Sequence, residues 1–285
     1  MTHDTYRFRL GEYRCLLVND GVMETTPAAG ICLNAPPDEL DAALQTYGVA
    51  DGLPSVNWNC LLIDTGRQRV LIESGSRGPA FPTRGRLLDG LRAAGVAPET
   101  VDVVVHSHGH FDHIGGNLSD DGAPAFPNAR HVVARREWEF WEGRPSLEQL
   151  PLDEPIRGFM RGAAEQNLLS LGDRVMRIDG EAEIAPGIAA VPAPGHTPGH
   201  MGIAVASGGE QLLYVADLAY HPVQVEHTGW YSAFDLDPVQ AVESRRRLLD
   251  RVAADRALVL FYHFIHPGLG RVTRRGDAFR WEPGR

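Results

Sequence analysis

Between Val103 and Gly116 the chain reads VVVHSHGHFDHIGG, which sets His108, His110, Asp112 and His113 in the spacing H-x-H-x-D-H. Three imidazoles and a carboxylate directly after a run of valines describe a metal-binding loop. Nitrogen and carboxylate donors suit zinc and similar transition metals, whereas an all-oxygen set would suit magnesium or calcium. If the extended backbone of the valine run continues, His108 and His110 point the same way, because strand side chains alternate with period two. Asp112 and His113 then fall in the turn that Gly115 and Gly116 close.

A catalytic metal site draws on more than one loop, and further candidates follow strand-like runs. APGHTPGH places His196 and His200 after IAAVPA, LLYVAD ends on Asp217, and LFYHF carries His263. Each alone reads as a cap or a satisfied core residue. His106, His131, His227 and His266 are read as non-ligands, and His221 as lining the pocket or supporting a ligand. Trp138, Trp141, Trp230 and Phe264 are core by default, with Trp230 placed where it could face an apolar substrate.

The elements that position these residues are legible in outline. YRFRLG and YRCLLVND form a hairpin around Gly11-Glu12, and CLLI and VLI a second around Thr65-Gly66-Arg67. PPDELDAALQTY and the stretch 84–95 carry helical apolar stripes. A helix is expected around 134–142. Residues 143–172, broken by Pro145, Pro151 and Pro155, extend it into a helical insertion or cap, about 134–172. Asp237-Pro238 caps and opens a long helix with Val239, Val242, Leu249 and Val252 inward and Arg245-Arg246-Arg247 largely solvated. The C-terminus is expected to be a polar tail. One domain over 1–285 is expected, in two halves that meet near residue 170.

With 37 acidic and 27 basic residues the formal charge is −10, which leaves no basic footprint for nucleic acid or an anionic membrane. No apolar run is long enough to span a bilayer, and the N-terminus lacks a secretory pattern, so a cytoplasmic location is expected. Three cysteines, Cys15, Cys32 and Cys60, read as free thiols.

Taken in order, HSHGHFDHIGG, APGHTPGH, VAD and YHFIHPGLGRV resemble the metallo-β-lactamase superfamily of binuclear hydrolases, from about Asn57 to about Val272. The resemblance implies an α+β fold, a four-layer αβ/βα sandwich with the metals at one edge of two facing sheets. It implies two divalent ions, zinc first, with iron, manganese, cobalt and nickel open. His108, His110 and His196 would hold one ion, Asp112, His113 and His263 the other, and Asp217 would bridge them. ADLAYHPVQ, FDLDPVQAVESR and HFIHPGLG are similar to the branch containing N-acyl homoserine lactonases and methyl-parathion-type hydrolases. In that branch Tyr220 matches the tyrosine that contacts the substrate carbonyl.

The expected activity is hydrolysis of a small lactone or ester by a metal-bridging hydroxide, with Asp112 as proton carrier and Tyr220 stabilising the oxyanion. Phosphotriesterase, thioesterase and β-lactamase activity share such a site, and a mononuclear iron oxidoreductase is the alternative of another class. A homodimer goes with the branch. Where the resemblance expects D-T-G the chain has Glu73-Ser74-Gly75, and Glu73 is expected to support the site without binding metal.

Overall fold

The computed structural model describes residues 4–23, 27–49, 54–76, 85–119, 121–276 and 278–284. Among them, two seven-stranded sheets run in mirrored order. The first holds β1 (Thr5–Leu10), β2 (Tyr13–Met23), β3 (Val56–Asp64), β4 (Arg69–Ile72), β5 (Val103–Val105), β6 (Arg130–Ala134) and β7 (Val175–Ile178), side by side in that order. The second holds β8 (Glu183–Ala185), β9 (Ile188–Pro192), β10 (Met201–Ser207), β11 (Glu210–Tyr214), β12 (Leu258–Leu260), β13 (Leu269–Arg275) and β14 (Ala278–Pro283). In the first sheet, β1 to β4 pair antiparallel and β4 to β7 parallel. In the second, only β11 and β12 are parallel.

The helices are α1 (Ala28–Ile31), α2 (Pro37–Gln45), α3 (Leu87–Ala93), α4 (Phe111–Ile114), α5 (Arg135–Glu142), α6 (Glu154–Asn167), α7 (Val223–Glu226) and α8 (Pro238–Asp255). Alternation along β11 shows why the layers stack. Leu212 and Tyr214 enter the core shared with the valines of β5, while Leu213 and Val215 turn the other way, onto Leu248, Leu249 and Val252 of α8. Trp138 and Trp141 of α5 and Met160 of α6 cover Val133 and Val175 at the far side of the first sheet. This is the four-layer sandwich the resemblance implied. Each fully buried valine of β5 contributes about 1.5–3 kcal/mol, which holds rigid the strand that ends in the histidine loop.

Four expectations are corrected. Pro155 opens α6 at its first turn, where its missing N–H costs nothing, and so starts the helix. The halves divide after β7, since Val175 pairs with His131 in the first sheet. The C-terminal tail forms β13 and β14, paired from Gly270–Pro283 to Arg275–Ala278. On α8, Val239 is 71% exposed and Arg245 is buried. Asp237 caps that helix as expected, accepting a hydrogen bond from Gln240 N at 3.0 Å. No helix among the described residues is long and apolar enough to cross a membrane.

The loops that leave the carboxyl ends of β4, β5, β9, β11 and β12 meet at one edge of the two sheets, and every candidate ligand lies on one of them.

Candidate metal centre

After β5 the extended backbone expected to continue is broken by a bend at Ser107 and His108; the chain is extended again at His110 (φ −74°, ψ 151°) and then turns into α4, which carries Asp112 and His113. Two glycines allow the loop to be this tight. A Cβ on Gly109 would lie 2.3 Å from Trp141 Nε1, and one on Gly116 would lie 2.0 Å from the Ser74 carbonyl oxygen. The His108 and His110 rings converge edge to face at 4.5 Å.

Two groups of donor atoms result, His108, His110, His196 and Asp217 in one and Asp112, His113 and His263 in the other; within each, the atoms lie within 4.8 Å of one another. Asp217 stands between them. Its Oδ1 is 2.9 Å from His113 Nε2, and its Oδ2 is 3.1 Å from His263 Nε2 and 3.3 Å from His196 Nε2. Asp112 Oδ2 is 3.6 Å from both His113 Nε2 and His263 Nε2.

His108 Nε2 is buried with no hydrogen-bond partner, and His113 Nε2 and Asp217 Oδ1, though 2.9 Å apart, are buried without forming a well-aligned hydrogen bond. His110 Nδ1 and His196 Nε2 face each other at 3.0 Å. Burying such donors and acceptors unsatisfied costs about 1–3 kcal/mol each, and a shared cation removes that cost. The five imidazoles and two carboxylates therefore fit two divalent ions.

The electrostatics divide the imidazoles. Burial opposes protonation of His113 and His196, but Asp217, with Asp112 at the first and Asp235 at the second, outweighs it, raising His113 well above the ordinary histidine value and His196 to about 9, so both would shed a proton on ligating. Burial pushes His108 and His110 well below the ordinary histidine value, with neighbouring imidazoles adding to it, so both are neutral and able to ligate. Burial opposes ionisation of Asp217, but His113, His263 and His108 outweigh it and hold the carboxyl well below its usual range.

A cavity of about 430 Å³ opens from this edge. His110, Asp112, His263 and Tyr220 form its polar end. The walls are apolar. Met23, Ile31 and Val56 come from one side, Pro155, Ile156, Phe159 and Met160 from the α6 segment, and Phe111 and Phe234 lie between. Tyr220 is buried, stacked on His263 at 4.5 Å and 7°.

The sequence matches the Metallo-beta-lactamase superfamily over residues 56–263. The chain belongs to that superfamily. An N-acyl homoserine lactonase from Bacillus sp is 27% identical over 269 residues, covering 90% of this chain and 92% of its own. Among solved structures, AidC, a dizinc quorum-quenching lactonase with a product bound, superposes with a TM-score of 0.92 at 27% identity, over 99% of this chain and 98% of its own. AbOPH, a hydrolase of the beta-lactamase superfamily, gives 0.91 at 24% identity over 100% and 99%, a likeness of fold. The protein is a metal-dependent hydrolase of the metallo-beta-lactamase superfamily.

Around this superfamily site, partners fix which nitrogen each ring offers. Glu73 Oε1 lies 3.2 Å from His113 Nδ1, Asp235 Oδ1 lies 2.8 Å from His196 Nδ1, and the Asn57 carbonyl lies 3.0 Å from His263 Nδ1. Glu73 thus takes the supporting place expected of it. Trp58 Nε1 donates to Asp112 Oδ2 at 2.8 Å, and the Tyr262 hydroxyl donates to the Asp112 carbonyl at 2.6 Å. Glu137 accepts from Gly109 N, Trp141 Nε1, Thr197 Oγ1 and Gly199 N at 2.6–3.0 Å, tying the two histidine loops together.

Sequence reasoning missed Glu137, Asp235 and Trp58. Glu137 sits inside ARREWEFWE, where a glutamate in the first turn reads as an ordinary helix residue. Among the other histidines, His200 bonds the Ala193 carbonyl at 2.9 Å and accepts from Asp217 N at 3.3 Å, a structural role. His106 pairs with His131 at 3.1 Å, His227 stacks on Trp230 at 3.9 Å, and His266 reaches Asn59 at 2.7 Å. His221 accepts from Val223 N and meets Tyr47 edge-on, beside a separate groove. Trp230 packs with Tyr220 and Val223 behind the cavity wall, as core.

Proposed function

We propose that this hydrolase opens lactones or esters that carry an uncharged apolar chain, with N-acyl homoserine lactones the first class to try. The observation that carries the reading is the cavity: its polar end holds Tyr220 with His110 from one donor group and Asp112 and His263 from the other, and the rest of its wall offers a chain apolar contact. The names of the relatives support it. His108, His110 and His196 would hold one ion, Asp112, His113 and His263 the other, with Asp217 between. Two divalent ions, zinc in the first instance, supply Lewis acidity and a water activated near neutral pH.

The chain's own residues do the rest. Burial, with Asp217, Asp235 and Asp112 nearby, pushes the Tyr220 hydroxyl well above the ordinary tyrosine value. It therefore stays protonated and can donate a hydrogen bond to the carbonyl oxygen as negative charge develops there. Asp112 borders the cavity with one oxygen steadied by Trp58. It can take the proton released when water adds to the carbonyl and return it to the leaving alkoxide. The apolar walls keep bulk water from competing. A single domain, a cytoplasmic location, a homodimer, and a substrate range without nucleic acid or membrane belong to the same proposal.

Metal analysis beside a panel of lactones, aryl esters and phosphotriesters tests it. The expected result is near two ions per chain and lactone or ester turnover that drops at least about a thousandfold in Asp217→Ala. Two ions with turnover of phosphotriesters alone would replace the substrate class; one iron per chain without hydrolysis would overturn the reading.

A further inference from the structure

The cavity has two walls that the substrate would touch at once, Ile31 on the chain side and Tyr220 beside the reacting carbonyl. One buried side chain joins them. Gln224 Oε1 accepts from Tyr220 N at 2.7 Å, and Gln224 Nε2 donates to the Ile31 carbonyl at 2.7 Å and to the Trp230 carbonyl at 3.4 Å. Gln224 is fully buried, and Ile31 lies 193 positions before it in the chain.

The loop that carries Tyr220 is pinned at both ends by Arg245 of α8. Arg245 Nε donates to the Leu218 carbonyl at 2.5 Å, and its Nη1 donates to the carbonyls of Thr228 at 3.0 Å and Trp230 at 2.5 Å. Between those ends, Gln224 ties the middle of the loop to α1. The α1 segment is in turn seated on the same loop region by Ala233 N to the Gly30 carbonyl at 2.8 Å and Leu33 N to the Tyr231 carbonyl at 2.7 Å.

We propose that Gln224 is a positioning residue: one planar amide couples the apolar wall at Ile31 to Tyr220, so that packing of the substrate chain on Ile31 is felt as the placement of the Tyr220 hydroxyl. This rests on the lactone or ester reading. Binding energy from a remote part of the substrate then sharpens geometry at the reacting centre. Leaving the Tyr220 amide and the Ile31 carbonyl without partners would loosen both walls together.

The test uses the metal-loaded protein and two readouts. In the first, amide hydrogen exchange is followed in peptides covering 28–33 and 218–225. Gln224→Met, of similar length but without hydrogen-bonding groups, is expected to speed exchange in both. Exchange unchanged at 28–33 overturns the coupling. In the second, kcat and KM are measured for a short-chain and a long-chain N-acyl homoserine lactone in wild type, Gln224→Met, Tyr220→Phe and the double variant. The expected loss in Gln224→Met is roughly 10- to 100-fold in kcat for the long chain, smaller for the short one, and absent once Tyr220 is Phe.

Additive losses, equal losses at both chain lengths, or a Tyr220→Phe single variant as active as wild type overturn the positioning role. If wild type opens no lactone, the functional reading fails on its own, and the exchange readout still decides the coupling. Metal content and thermal unfolding are read first; if Gln224→Met does not fold, Gln224→Asn keeps the amide, shortens its reach and takes its place in both readouts.

Discussion

The two ends of the cavity are built on opposite plans. At the metal-facing end, His108, His113, Glu73 and Glu137 are wholly buried, and the two carboxylates are held by close polar neighbours, Glu73 at 3.2 Å from His113 Nδ1 and Glu137 at 2.9 Å from Gly109 N. At the mouth, Ile156 and Phe159 on α6 are each 44% exposed and contribute area. A polar network in low dielectric fails when one atom is removed, because the partner left behind keeps its full desolvation cost. An apolar wall fails in proportion to the surface lost. The chemistry should therefore be brittle and the chain selectivity gradual.

The sharpest way to break that contrast is Glu137→Gln. The carboxylate takes two donors on each oxygen, and an amide nitrogen in place of one oxygen would face two donors. Turned towards Thr197, whose hydroxyl can rotate to accept, that nitrogen orphans the Gly199 N–H, which predicts a loss of about 1–3 kcal/mol of stability, read by denaturant unfolding. Because Gly109 and Thr197 sit beside His108, His110 and His196, metal affinity should fall roughly 10- to 100-fold without any ligand being touched. Unchanged affinity would mean the two histidine loops hold themselves.

Asp20 sharpens the same contrast from beneath the site. Fully buried, it accepts from Ser76 N and Leu87 N at 2.8 Å and from Gly85 N at 3.2 Å, and so holds the turn after β4 on which the His113 loop rests. Burial pushes its carboxyl up to about 6 against an ordinary 3.8, while those N–H groups pull it back. The folded state therefore keeps this proton more tightly than the unfolded chain. Its contribution is present below pH 3.8 and lost as pH rises through about 6. The loss comes to about 3 kcal/mol. Asp20→Asn removes this titration, so its stability relative to wild type should improve between pH 4 and pH 7 in urea unfolding. A constant difference across that range would show that Asp20 is ionised throughout.

What the sequence disclosed follows the same division. The candidate ligands that the structure brings together were legible because few residue types bind metal and the loop spacing H-x-H-x-D-H is short-range, as is the Asp237-Pro238 start of α8. Partners of those ligands were not. Glu137 meets Gly199 across 62 positions and Gln224 meets Ile31 across 193, and their bonds are to backbone groups that any residue offers. Arg245 hid in an arginine triplet because helical periodicity does not tell a solvated guanidinium from one that gathers three buried carbonyls. The β13–β14 pair was read as a tail because LGRVTRR buries only one side of an edge ladder and alternates too few apolar residues to announce a strand.

The mildest test lies at the mouth. Phe159 meets Phe111 edge to face at 5.1 Å and faces the cavity with half its surface in solvent. Phe159→Ala takes away wall that a long chain would cover, worth about 1–2 kcal/mol of binding, or roughly 5- to 30-fold in kcat/KM. Because Phe159 lies outside the Ile31–Gln224–Tyr220 connection, its contact with the chain should be the same in ground and transition states, so the loss should fall on KM and leave kcat in place. Short-chain lactones do not reach α6 in this reading and should be turned over as in wild type. Steady-state kinetics at two chain lengths checks it. If kcat falls equally for both, the mouth shares in the chemistry, and the division between a brittle polar end and a forgiving apolar wall gives way to one cooperative site.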